Sequence, residues 1–169
     1  MKRISLLAIL LTSSLFCFSQ EYTKFMGISL NSTPSAFKQK LAEKGFKRQV
    51  ENIYRGKIDN ENCDINLNCE NSKIECVSVM RNSLKNDTVS AKRIFVQIYK
   101  NLENKYGKPT SISKLEEVSP DFYFHNVIAY FHDYRISLYI VKLEEGDMTD
   151  LGKGDFWYTI IENYYPLPE

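Results

Sequence analysis

Thr88-Val-Ser-Ala-Lys-Arg-Ile-Phe-Val-Gln-Ile-Tyr-Lys-Asn-Leu-Glu-Asn-Lys-Tyr106 is the stretch that decides how this chain folds. Ala91, Ile94, Phe95, Ile98, Leu102 and Tyr106 recur at spacings of three and four. That is the period of a helix, and it gathers them into one apolar stripe. Asp87 or Thr88 caps the start, and Gly107 and Pro109 end it. The spacing predicts a helix over 88–106 whose stripe lies on a sheet.

Strand signals stand on both sides. Upstream, Cys63-Asp-Ile-Asn-Leu-Asn-Cys69 alternates apolar and polar residues, the pattern of a half-buried strand. Glu70-Asn-Ser-Lys73 has turn chemistry, and Ile74 to Met80 returns as its partner. Phe46–Val50 and Ile53–Ile58 are further candidate strands. Before them, Thr33 as cap, Pro34 at the first helical position, Phe37 and Leu41 one turn apart, and Gly45 as stop predict a helix over 34–44. Phe25-Met-Gly-Ile28 reads as a short strand or extended lead-in. Downstream, Phe122–Phe131 and Ile136–Leu143 read as a hairpin around His132-Asp-Tyr-Arg135. The segment 144–155 reads as an acidic loop, and Phe156–Ile161 as a closing strand. Helices segregated from antiparallel strands define an α+β fold, here expected as tandem αβββ-like units with two main helices on one face of the sheet.

The N-terminus reads as a signal peptide over residues 1–19, with 20–169 as a single α+β domain. Met1-Lys-Arg3 is basic, Ile4 to Phe18 is mostly apolar, and Cys17 and Ser19 are small residues at the −3 and −1 positions of the expected cut. A membrane-spanning helix needs about 20 apolar residues, and this run is shorter and interrupted, so no transmembrane segment is expected after cleavage. Acylation of Cys17 is disfavoured by the bulky Phe16 before it. Removing residues 1–19 takes Lys2 and Arg3 and no acid, so the net charge moves from +1 to −1. A near-neutral surface gives no electrostatic footprint for nucleic acid. The expected location is therefore periplasmic or extracellular.

Export permits disulfides, and Cys63, Cys69 and Cys76 remain after cleavage. Their C-x5-C and C-x6-C spacings are not zinc patterns. Cys63 and Cys69 on one strand would lie about 20 Å apart, too far to bond. Cys69 and Cys76 flank a turn and form the candidate disulfide.

Several short stretches resemble a group of small exported bacterial proteins, mostly uncharacterised, whose fold is similar to that of the β-lactamase inhibitor protein. They are Phe25-Met-Gly-Ile28, Lys44-Gly-Phe46, Lys105-Tyr-Gly-Lys-Pro109 and Ile136-Ser-Leu-Tyr-Ile140. The resemblance spans most of residues 22–162 and concerns helix ends and strand starts. It implies tandem helix-plus-sheet units in one antiparallel sheet. It carries over no functional residue and does not imply binding to a β-lactamase.

Catalytic signatures are weak. His125 and His132 are seven apart, which on one strand puts them on opposite faces, against a shared metal. A cysteine–histidine nucleophile would need one of the three thiols beside them. The 144–155 loop lacks the alternating-oxygen core of a calcium loop, and Gly152-Lys-Gly154 lacks the spacing and hydroxyl of a phosphate loop. No cofactor is expected. Asp87-Thr-Val89 matches a short O-glycosylation acceptor pattern at Thr88, although helix capping explains the same residues.

Aromatic residues make up 13% of the chain, and they are the one feature pointing to a surface that binds. Ile136, Leu138 and Ile140 should share the covered face, which places Tyr139 on the open one. Tyr130 and one of Trp157 or Tyr158 should join it, depending on register. The expected function is a non-enzymatic binding module acting through a sheet face on an unknown protein or cell-envelope ligand. The alternative is a cell-envelope hydrolase-like enzyme with an unrecognised site. Converging titratable groups in a cleft would favour the enzyme, and a broad aromatic patch the binder.

Overall fold

The computed structural model describes residues 23–82, 86–114, 127–144 and 156–167. The signal-peptide region, His125, Phe122–Asn126 and positions 145–155 of the acidic loop lie outside them. The described chain is α+β. A two-stranded ribbon, β1 (Lys24–Phe25) and β2 (Ile28–Ser29), leads into α1 (Pro34–Glu43). Four strands follow: β3 (Lys47–Val50), β4 (Ile53–Ile58), β5 (Glu61–Glu70) and β6 (Lys73–Asn82). Then come α2 (Thr88–Tyr106) and β7 (Ser111–Lys114), β8 (Val127–Phe131), β9 (Ile136–Glu144) and β10 (Phe156–Tyr164). Four strands thus follow each helix, one more than in the expected unit, and β7 was not anticipated.

The strands β3 to β10 form one eight-stranded antiparallel sheet in the order β3-β4-β5-β6-β10-β9-β8-β7. Each half is a meander, and the halves join where β6 pairs with β10. Two tight turns explain the asparagine-rich stretch. Asp59-Asn60 and Asn71-Ser72 are all left-handed, with φ of 51°, 66°, 49° and 61°. A two-residue turn with both positions left-handed matches the twist of a hairpin, and Asn and Asp tolerate that region better than most residues.

Helix ends follow the sequence. The Thr33 hydroxyl accepts the Ala36 N–H, and Pro34 opens α1. At its end Gly45 (φ 88°) lets its own N–H reach the Ala42 carbonyl and the Phe46 N–H reach Leu41. Asp87 caps α2 by accepting the Ser90 N–H at 2.9 Å, so Thr88 is the first helical residue rather than the cap.

Both helices cover the same face. Cross-strand partners share a face and successive residues alternate. Phe131, Ile136, Tyr164, Val77 and Leu67 therefore form one row across β8, β9, β10, β6 and β5. The α2 residue Tyr99 packs edge-on to Phe131, and Phe25 lies between Phe37 of α1 and Tyr164. Ala91, Ile94, Ile98 and Leu102 of α2 are buried, whereas Phe95 is only half-buried at the margin of the stripe. The β4–β5 turn is tied to α2 by Arg93 to Glu61 and Asn101 to Asp59, both at 3.3 Å. No helix among the described residues is long and apolar enough to cross a membrane.

The candidate disulfide is corrected here: Cys63, Cys69 and Cys76 are free thiols. Cys69 pairs with Ile74 while Cys76 pairs with Asn68, leaving Glu75 as the extra residue of a bulge. Asn68 and Cys69 are neighbours on one strand and point to opposite faces. Their partners do too, so the Cys69 and Cys76 side chains are separated by the sheet.

Candidate binding face of the sheet

The face opposite the helices is built in rows. One row runs Tyr130, Ser137, Asn163, Ser78, Asn66 across β8, β9, β10, β6 and β5. The next runs Tyr139, Ile161, Met80, Asp64, Arg55 across β9, β10, β6, β5 and β4. A third holds Val141, Thr159 and Asn82, and a fourth Leu143 and Trp157. Across β6, β10, β9 and β8 these rows carry no charged side chain. Charge begins only at Asp64, which Arg55 engages with two hydrogen bonds of 2.7 and 2.9 Å.

The polar members hold one another. Asn163 donates to the Ser137 hydroxyl at 3.3 Å, the Thr159 hydroxyl to the Asn82 side-chain oxygen at 2.8 Å, and Cys76 lies 3.6 Å from the Ser78 hydroxyl. Tyr165 follows β10 onto this side and bonds with both Ser137 and Cys76. Burial pushes its hydroxyl pKa up, and likewise that of the Cys76 thiol. A raised thiol pKa works against a nucleophilic cysteine.

Of the four candidate aromatics for this face, Tyr130, Tyr139 and Trp157 stand on it, each half-buried. Tyr158 does not. It alternates with Trp157, lies on the helix side at 5% exposure, and packs edge-on to Phe156. The register thus selects Trp157. Tyr130 and Tyr139 are diagonal neighbours, since Tyr130 pairs with Ser137. Trp157 lies four residues along β10 from Ile161, Tyr139's partner, so the three rings do not form one cluster. The indole N–H of Trp157 is enclosed and has no hydrogen-bond partner among the described residues. Ile161, Met80 and the polar row escaped the sequence reading. Reading Trp157, Thr159, Ile161, Asn163 and Tyr165 as one face of the closing strand finds two of them, Ile161 and Asn163.

The strongest buried electrostatics lie on the other face. Arg81 ion-pairs with Glu162, both about 5% exposed, and the Tyr164 hydroxyl donates to the second Glu162 oxygen at 2.7 Å. Desolvation pulls the Arg81 pKa down and pushes those of Tyr164 and Cys63 up. This network sits under α2, out of reach of a substrate. His132 lies in the β8–β9 turn with its ring 5.4 Å from Tyr106. Among the described residues no three His, Cys, Asp or Glu side chains converge as a metal site.

A cleft of about 670 Å³ opens at one end of the sheet. It lies between residues 30–33, the β5–β6 turn, Arg135 and residues 165–167. The sequence reading did not find it, because its walls come from four distant segments.

No family model, curated protein or solved structure matches the chain.

Proposed function

We propose that this chain is an exported, non-enzymatic binding module that docks a protein partner on the open face of β6, β10, β9 and β8. The observation that supports this is the uncharged apolar strip of Tyr139, Ile161 and Met80, with Val141 and Leu143 beside it and a polar row along its edge. Cores of protein interfaces are depleted in charge and enriched in Tyr, Trp and Met, with polar rims. Export rests on the tripartite N-terminus.

The experiment compares proteins captured from envelope extract by the wild-type mature chain, by Ile161→Lys, and by Val89→Lys on the exposed side of α2. The reading expects a partner held by wild type and Val89→Lys and lost with Ile161→Lys, while the thermal midpoints stay close. Equal capture by all three proteins overturns the face. Mass analysis of the exported protein tests the rest. A mature chain beginning near Gln20 is expected, and retention of Met1-Lys-Arg3 overturns export.

A further inference from the structure

The cleft at the end of the sheet has a chemistry of its own. Arg135 reaches into it, and its Nη1 donates to the Pro166 carbonyl at 2.7 Å. The Arg135 carbonyl in turn accepts the Tyr165 N–H at 2.8 Å. The guanidinium is therefore held in place by a neutral group, and Arg135 enters no ion pair among the described residues. Its planar fork has further donors to offer, in a geometry that suits a carboxylate. Among the described residues the wall also carries Lys73 and Glu75. Pro166 and Leu167, both half-buried, supply apolar surface, and the nearly fully buried Leu30 and Ile74 lie behind it. The volume falls within the range of small-ligand sites, roughly 300–1,000 Å³.

We propose that this cleft binds a small organic monocarboxylate, its carboxylate on Arg135 and its hydrocarbon body against Pro166 and Leu167. Glu75 disfavours a second negative charge on the ligand. Tyr165 borders both the cleft and the open sheet face, but Arg135 is no part of that face's rows, and the site stands whether or not that face binds a protein.

The test is a titration of the ¹⁵N-labelled protein followed by NMR. The probes are 4-methylpentanoate, the neutral 4-methyl-1-pentanol and the dianion succinate. The proposal expects saturable shifts with 4-methylpentanoate at the amides of residues 30–33, 72–75, 135, 165 and 167. The alcohol and succinate should bind at least about tenfold more weakly. Arg135→Gln should weaken 4-methylpentanoate by about tenfold or more, and Arg135→Lys by less. Glu75→Gln, at an exposed bulge position, should selectively improve succinate and serves as the variant least exposed to folding defects. Equal binding of the alcohol, shifts centred elsewhere, an unchanged affinity in Arg135→Gln, or no saturable shift with the monocarboxylate overturns the proposal.

Discussion

Arg81 and Glu162 lie 81 positions apart in the chain and form an ion pair at the middle of the sheet. They sit on adjacent strands, β6 and β10, beneath α2. Removing one partner leaves the other buried and unpaired, which costs about 3–5 kcal/mol. Glu162→Gln should therefore shift the urea midpoint strongly. The double replacement Arg81→Met/Glu162→Leu should be far milder, because no charge is left behind. Additive losses in the double variant would contradict the buried-pair account.

Alkaline pH should destabilise the fold. Burial raises the pKa of Cys63, Cys76 and Tyr164 in the folded protein. In the unfolded chain thiols ionise near 8.5 and tyrosine near 10. Above those values the unfolded chain binds fewer protons than the folded one, so stability falls as pH rises and is fully present below about 8. Urea midpoints at pH 7.5, 8.5 and 9.5 should decrease in order, and Cys63→Ala should flatten the trend. A flat profile in the wild type would mean that the thiols ionise freely in the folded state.

Gly56 tolerates no side chain. A β-carbon there would overlap the ring of Phe46, which covers the strand at that point. Gly56→Ala should cost about 1–3 kcal/mol through overpacking. Phe46→Leu combined with it should lose less than the sum of the single changes, a coupling that a double-mutant cycle measures.

The α2 stripe should divide by burial. Leu102→Ala should cost about 2–5 kcal/mol, whereas Val96→Ala, on the exposed side, should stay within about 0.5 kcal/mol apart from the small gain in helix propensity. Equal effects would mean that α2 is seated differently on the sheet. Tyr158→Ala against Tyr139→Ala makes the same comparison for the sheet. The first should destabilise markedly and the second little.

The two long helices and most of the strands were legible because their signals are local. Thr33-Pro34, Gly45 and Gly107 mark helix ends, and the period of two from Cys63 to Cys69 marks a strand. What stayed hidden depends on register or on distant segments. Whether Trp157 or Tyr158 faces the helices is set by a pairing that composition does not encode. The bulge at Glu75, which separates Cys69 from Cys76, is a single-residue insertion without a glycine to announce it. The short strand β7 has only Ile112 as a large apolar residue and makes no pattern of its own. Arg135 reads as a turn residue until the tail after β10 comes alongside it.

The joining of the two meanders at β6 and β10 has a consequence for synthesis. Each meander can form from neighbouring segments, but β6 must wait for a strand about 80 residues later, from Asn82 with Thr159 to Val77 with Tyr164. Such non-local pairing is slow, because the loop-closure entropy is lost before its contacts form. Until the last strand has been made, Cys76-Val-Ser-Val-Met80 is an unpaired sheet edge, uncharged and rich in β-branched residues. An edge of that kind invites pairing between chains. A nascent chain stopped before Phe156 would thus carry an aggregation-prone edge that the complete protein buries at its centre.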